Sequence, residues 1–268
     1  MVTFVMLALG MISLAVFCIL RDKKSSVLAI AVKSLTSAFF IATAISAFLY
    51  NGNEALRQVY MSSIPRHPHD VNVVLNVAPL FVGGLVLGLI GDILLDFKIF
   101  LANRSYEGAK RDADIMTYAG MAAFGLGHVL YIVATVMRFP DQQMRLLWSA
   151  LAAVGAVCLI FGVAVFLLKM KFGKFLLPSI GYAFLLCWFI ALSAWQLASG
   201  ASTASILLLV GSILFIVSDL ILSMTYFSKP EDYAKPGPLN PESKLMIVAN
   251  HATYYFAQFL IALAMLFL

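Results

Sequence analysis

An all-α fold of eight membrane-spanning helices is what the sequence predicts, and three observations carry the prediction. First, 62% of the 268 residues are hydrophobic and 12% charged, against roughly 45–50% apolar and about 25% charged in soluble domains; a soluble globule is excluded. Second, the apolar residues gather into eight runs that reach bilayer length, since a helix needs about 20 residues to cross a hydrocarbon core about 30 Å thick. Third, those runs use up most of the chain. Residues 1–268 therefore read as a single transmembrane domain with no room for a soluble one.

Taken in order, the spans fall at about 2–20, 26–50, 72–97, 114–137, 144–168, 175–198, 203–227 and 245–268. The first has no Lys or Arg before it and Arg21, Lys23 and Lys24 after it, the reverse of a secretory signal, so it reads as a retained span with its N-terminus outside. The first, third, fifth and seventh loops hold Arg21, Lys23, Lys24, Lys98, Arg104, Lys110, Arg111, Lys169, Lys171, Lys174, Lys229, Lys235 and Lys244. The other loops hold only Arg57, Arg66, Arg138 and Arg145, which puts both termini outside by the positive-inside rule. The net charge of +5 thus reports membrane orientation, and no basic, aromatic-interleaved stretch supports nucleic-acid binding. The stretches Asn51 to Asp70 and Ser228 to Ser243, both with prolines, read as solvated connectors. Cys18, Cys158 and Cys187 lie singly in apolar runs and read as packing residues.

A weak internal repeat relates the third and seventh spans. With Asp92 set over Asp219, Gly84 meets Gly211, Leu87 meets Leu214, Gly91 meets Ser218 and Leu95 meets Leu222. An offset of four spans predicts two parallel four-helix halves related by an axis along the membrane normal.

Ionisable groups at a span's centre cost about 2.5–3.5 kcal/mol each on insertion scales, so each needs a partner or a task. Lys33, Asp92, Asp96, His128, Asp219 and His251 are such groups, and the topology puts all six in the cytoplasmic half. Gly84, Gly88, Asp92 and Asp96 recur every four residues, so the glycines that allow close helix approach share a stripe with two carboxylates. Gly211, Phe215, Asp219 and Ser223 make a similar stripe, with Ser218 beside the acid. His128, Tyr131 and Thr135 line one side of the fourth span; His251, Tyr254, Tyr255 and Gln258 cluster in the eighth; Thr36 and Ser37 lie one turn from Lys33. Lys33 either snorkels or neutralises an aspartate, or it positions an anionic group. Asp96, nearest the interface, reads as a solvated carboxylate.

The chain has no GxSxG, no HExxH and no Gly-rich phosphate loop. Its two membrane histidines and two deep aspartates come from four separate helices without a ligand pair at i, i+3 or i+4, so no metal and no cofactor are expected. The pair Asp92 and Asp219 remains, and two buried carboxyls can share a proton and act as acid and base.

Five blocks in order carry a resemblance: KSLT at Lys33, LIGDILL around Asp92, YAGMAAFGLGHVLYIVATV around His128, GSILFIVSDLILSMTYF around Asp219 and TYYFAQFLIA around Gln258. Together they resemble the YhhN family of membrane proteins, although Ser34 stands where that family's early block usually has proline. The resemblance implies eight helices. Because vertebrate members of the family are lysoplasmalogenases, it also implies cleavage of the sn-1 vinyl ether of lysoplasmalogen to a fatty aldehyde and a glycerophospho-ethanolamine or -choline. The implied partners are the lyso-ether phospholipid and the surrounding membrane lipids, with the active site toward the cytoplasm. Vinyl-ether hydrolysis needs a proton donor and a fixed negative charge beside the oxocarbenium. Asp92 or Asp219 serves as the acid and the other as stabiliser or base. Lys33 contacts the phosphate or holds one aspartate ionised; His128, Tyr131, Tyr255 and Gln258 orient water and glycerol oxygens, with Thr36 and Ser218 in support. The same acids also suit a small-molecule or proton-coupled transporter, a scaffold that keeps them for helix packing, or a metal-dependent hydrolase of another lipid bond.

Overall fold

The computed structural model describes residues 1–21, 27–61, 68–102, 106–138 and 143–268, and among these there are helices and no strands. The helices are α1 (Val2–Leu20), α2 (Val27–Met61), α3 (Pro68–Ala102), α4 (Ala109–Met137), α5 (Gln143–Gly162), α6 (Leu176–Ser199), α7 (Thr203–Phe227), the short α8 (Pro230–Ala234) and α9 (Lys244–Ala264). All but α8 belong to segments long and apolar enough to cross a membrane. α5 runs on through a π-turn at Val163–Leu167, and a 3₁₀ turn at Gly173–Phe175 leads into α6.

Two connectors differ from the sequence expectation. Residues 51–61 continue α2 and residues 68–70 open α3, so most of the stretch from Asn51 to Asp70 is helix. Residues 62–67 lie outside the described residues. Polarity had suggested a loop there, but Glu54, Ala55, Leu56 and Arg57 are good helix formers, and polarity alone marks where a helix leaves lipid, not where it ends. Asn51 is buried rather than solvated, and its side-chain amide donates to the Met265 carbonyl at 3.1 Å, satisfying an oxygen left open beyond the end of α9. In the second connector, α8 forms around Pro230 at its first position, where a missing N–H costs nothing.

Inside α3, Pro79 removes one backbone donor, which a packed transmembrane helix tolerates where neighbours cover the freed carbonyl. α7 starts with a capping box between Ser202 and Ser205, and Ser243 caps α9 through the Met246 N–H at 3.2 Å.

The packing follows the expected four-span offset. α1 packs on α2 and α3 on α4, as α5 packs on α6 and α7 on α9; α2 meets α3 as α6 meets α7, and α4 crosses to α6 as α9 crosses to α2. The core between the halves is aromatic: Phe17, Phe40, Phe81, Tyr131, Phe189, Phe215, Tyr255 and Phe259 are fully buried. Leu151, Leu159, Phe166 and Leu177 are exposed on the outer side of α5 and α6, as suits a lipid-facing surface.

The repeat-related glycines lie at close helix crossings. A Cβ on Gly84 would lie 2.2 Å from Cε1 of Tyr131, and one on Gly127 would lie 3.0 Å from the Gly84 carbonyl oxygen. In the other half, a Cβ on Gly211 would meet the Ala257 carbonyl at 3.1 Å. Tyr131 cannot swing away, because its ring is held against Phe81 and Phe189 at centroid distances of 5.6 and 5.3 Å. Gly84→Ala is therefore expected to destabilise the protein by about 1–3 kcal/mol through overpacking. Gly155→Ala, where an added Cβ meets nothing within 4 Å, should leave stability unchanged or slightly raised. Reversible unfolding in mixed micelles measures both, and equal stability of the two variants would show that the α3–α4 crossing is not fixed at Gly84.

Candidate active site in the bundle interior

The charges stranded in the spans meet where α1, α2, α3 and α9 converge. Lys33 on α2 places Nζ 3.3 Å from Asp92 Oδ1 and 3.5 Å from Asp96 Oδ1, one turn apart on α3. Arg21, immediately after α1, brings Nη2 to 3.7 Å from the same Asp96 oxygen. All four are buried, with 2–5% of their surface exposed. That corrects the reading of Asp96 as a solvated carboxylate: it bridges two cations inside the protein. Arg21, assigned from sequence to a loop, is likewise an interior residue.

Asp92 is also the acceptor for two hydroxyls. Ser37 Oγ donates to Oδ2 at 2.7 Å and Tyr254 Oη donates to the same oxygen at 2.8 Å. Behind Tyr254 the network continues: Gln258 Nε2 donates to Tyr254 Oη at 3.1 Å, and Tyr131 Oη donates to Gln258 Oε1 at 3.2 Å. Tyr255 Oη donates to the Lys33 carbonyl at 3.0 Å and lies 3.0 Å from Ser37 Oγ. Gly88 makes this geometry possible, since a Cβ there would sit 2.7 Å from Gln258 Nε2. The glycine stripe on α3 thus clears the ground over which α9 lays its polar side chains.

The second acid has different company. Asp219 on α7 is partly buried and accepts a 2.6 Å hydrogen bond from Tyr182 of α6 through Oδ2. No Lys or Arg pairs with it among the described residues. Asp92 and Asp219 share no hydrogen bond: the partners of the first come from α2 and α9, and that of the second from α6. Its neighbour Ser218 clasps α9: Ser218 Oγ donates to the Asn250 carbonyl at 3.0 Å and Asn250 Nδ2 returns a bond to the Ser218 carbonyl at 2.8 Å.

His128 stands between the two groups. Its ring centroid lies 5.5 Å from Tyr131, 6.0 Å from Tyr182, 6.1 Å from Phe189 and 4.6 Å from Phe215. Nδ1 is 2.9 Å from the Phe124 carbonyl; a carbonyl only accepts, so Nδ1 carries hydrogen, and in a neutral ring with that tautomer Nε2 is an acceptor. Nε2 is buried and has no hydrogen-bond partner among the described residues.

Of the residues singled out from sequence, the structure joins Lys33, Asp92, Tyr131, Tyr255 and Gln258 in one network, with His128 against it and Asp219 across from it. Thr36 is placed elsewhere: its hydroxyl meets Ser13 Oγ at 2.8 Å and the Val32 carbonyl at 2.9 Å, fastening α1 to α2. Ser218 acts through Asn250. His251 bonds the Ile247 carbonyl at 2.7 Å and packs on Phe17. Sequence reasoning did not single out Arg21, Ser37, Tyr182, Asn250 or Tyr254 as site residues. Ser37 had a signal, because it is four residues from Lys33 and so on the same helix face. Tyr182 had none, being one aromatic among many in an apolar span.

A sequence model described as the YhhN family matches residues 73–265, from α3 into the end of α9. The match includes Asp92, His128, Tyr131, Ser218, Asp219, Tyr255 and Gln258, while Lys33 and Thr36 precede it. Searches of curated proteins and of solved structures return no match.

Lys33 offsets two buried carboxylates at once, and removing one partner of a buried pair typically costs about 3–5 kcal/mol because the other charge is left uncompensated. Lys33→Met is expected to lose that much stability, and Lys33→Met combined with Asp92→Leu should regain a large part. A double-mutant cycle on unfolding free energies checks this; additive effects would mean that the two charges do not depend on each other.

Proposed function

The chain belongs to the YhhN family, and from that premise we propose that it is an intramembrane hydrolase of lysoplasmalogen, cleaving the sn-1 vinyl ether to a fatty aldehyde and a glycerophospho-alcohol. The observation that carries the reading is the pair of interior carboxyls in unlike surroundings. Asp92 receives an ammonium and two hydroxyl donors, all of which favour its anion. Asp219 has one phenol on Oδ2, leaving Oδ1 to bear a proton.

In the proposed reaction the lipid tail lies among the apolar helices and the vinyl ether between the two acids. Asp219 donates its proton to the alkenyl carbon β to the ether oxygen, and the electrons of the C=C bond form the new C–H bond. The oxocarbenium so produced is stabilised by the fixed negative charge of Asp92, an arrangement that costs no reorganisation because Lys33, Ser37 and Tyr254 already hold that carboxylate in place. Water then adds to the oxocarbenium carbon and gives its proton to the Asp219 carboxylate, restoring the acid. His128 Nε2 is the open acceptor that orients this water. The hemiacetal collapses as its hydroxyl proton passes to the glycerol oxygen and the C–O bond breaks, giving aldehyde and alcohol. One water is consumed and neither acid is changed.

Tyr131, Gln258 and Tyr254 form a line of donors ending on Asp92, which fixes the direction of the carboxylate, and Tyr182 does the same for Asp219. The positive-inside count supports placing this site in the cytoplasmic half of the membrane.

Purified protein given lysoplasmalogen is expected to release fatty aldehyde, and the saturated lyso-ester of the same chain length should yield no fatty acid. Asp92→Asn and Asp219→Asn should each lower aldehyde release by about 10²- to 10⁴-fold, the usual contribution of a positioned acid or base, and Tyr182→Phe by a smaller factor. The reading fails if wild type forms no aldehyde or if both Asn variants keep full rate. Uptake of lipid into sealed vesicles without product would favour transport instead.

A further inference from the structure

We propose that the buried guanidinium of Arg21, seated beside Lys33 and Asp96, is a binding site for a phosphodiester anion, the headgroup phosphate of the lipid substrate. The assignment of the anion to that substrate rests on the hydrolase reading above. The site itself rests on Arg21.

Arg21 follows α1 in an extended conformation (φ −79°, ψ 118°) with its own N–H still bonded to the Phe17 carbonyl at 2.9 Å. Lys244, at the start of α9, donates to the carbonyls of Ile19, at 3.2 Å, and of Arg21. The backbone is thereby fixed and the side chain is turned back into the bundle, where 4% of the residue remains exposed. Its one ionic contact among the described residues is Nη2 to Asp96 Oδ1 at 3.7 Å, too long for a hydrogen bond. Nε and Nη1 are buried and have no hydrogen-bond partner among the described residues.

A buried charged donor left unpartnered costs at least about 1–3 kcal/mol, and folded proteins leave few of them without a reason. The reason must supply oxygen acceptors with negative charge. Guanidinium presents a rigid fork of N–H donors and is weakly hydrated, which makes it the side chain best suited to phosphate oxygens in a partly dry site.

Position argues for a lipid phosphate rather than a free one. Asp96 Oδ1 is shared by Arg21 and Lys33, and Lys33 reaches on to Asp92. The guanidinium is thus three ion-pair contacts from the Asp92 carboxylate at the centre of the site, on the side where α1 ends. A lyso-ether phospholipid has the same order: tail, vinyl ether, short glycerol backbone, phosphate. With the ether beside Asp92, the phosphate falls toward the end of α1, and the headgroup beyond it leaves the bundle there.

Binding, not turnover, tests the proposal. A saturated 1-alkyl lysophospholipid cannot be protonated as a vinyl ether can, so it and the 1-alkylglycerol of the same chain report recognition alone, by native mass spectrometry of the purified protein. Wild type should prefer the phosphate-bearing lipid by about 10- to 100-fold, the value of one or two hydrogen bonds to a charged group. Arg21→Gln should bring the two lipids to near equality without changing 1-alkylglycerol binding. Should that variant not fold, Arg21→Lys keeps the charge, loses the fork, and should still cut the preference about tenfold.

No preference in wild type, or full preference in both variants, overturns the proposal. So does inorganic phosphate saturating the site at concentrations where the lysophospholipid shows no advantage, since that would make it a free-phosphate site. Because the alkyl lipids are not cleaved, a preference without aldehyde release from lysoplasmalogen would remove the hydrolase reading and leave the phosphate site standing, while aldehyde release without preference would do the reverse.

Discussion

The ion pair between Lys33 and Asp92 is the interaction on which the interior of this bundle depends. Neither group could stay charged alone among so many apolar side chains, and each is presented by a different helix, so the pair dictates how α2 lies against α3. Its remaining needs then recruit the neighbours. The second oxygen of Asp92 draws Ser37 from α2 and Tyr254 from α9. The Lys33 ammonium draws Asp96, and the charge on Asp96 brings in Arg21 from the end of α1. Four helices are held at one level by a single chain of charges and hydroxyls.

Such a cluster requires backbones closer than large side chains allow, and the glycines of α3 meet that requirement. Gly84 admits Tyr131 and Gly88 admits Gln258, so the helix face that bears two acids also has the space for the residues that hold them. In a membrane no hydrophobic force drives helices together, and close packing with interhelical hydrogen bonds takes its place. The polar network and the glycine stripe are accordingly one device: the first supplies attraction and the second permits approach. The α7–α9 contact repeats it with Gly211 against the Ala257 backbone and the Ser218–Asn250 clasp.

How much of this the sequence discloses depends on whether a residue contrasts with its surroundings. Asp92, Lys33, His128 and Asp219 stand out because a charge or an imidazole in an apolar run is costly, and the span count is legible from run length alone. The glycine spacing on α3 likewise gives the buried face. Residues at the edges of spans are not legible in this way. Arg21 and Asp96 sit where a solvated charge is as natural as a buried one, and only the extended turn after α1 and the position of Lys33 decide the matter. Between Thr36 and Ser37 neither composition nor spacing decides, since both flank Lys33 on the helix; only the packing turns Ser37 toward Asp92 and Thr36 toward Ser13 of α1. The helix from Asn51 to Met61 was hidden because polar residues mark the exit from lipid without marking a helix end. Tyr182 was hidden because nothing but its contact distinguishes it.

The repeat explains why the two acids differ. Under the four-span offset α2 corresponds to α6 and α3 to α7, and in each half the earlier helix supplies the partner of the aspartate on the later one. In the first half that partner is an ammonium with a serine one turn on, Lys33 and Ser37; in the second it is a phenol, Tyr182. Corresponding helices of a repeated packing pattern thus carry unlike partners for their aspartates. Two carboxyls in one interior cannot serve as acid and as fixed anion unless their surroundings favour different protonation states, and a perfectly repeated structure would give them the same one. The difference between Lys33 and Tyr182 is therefore what the proposed two-carboxyl reaction depends on.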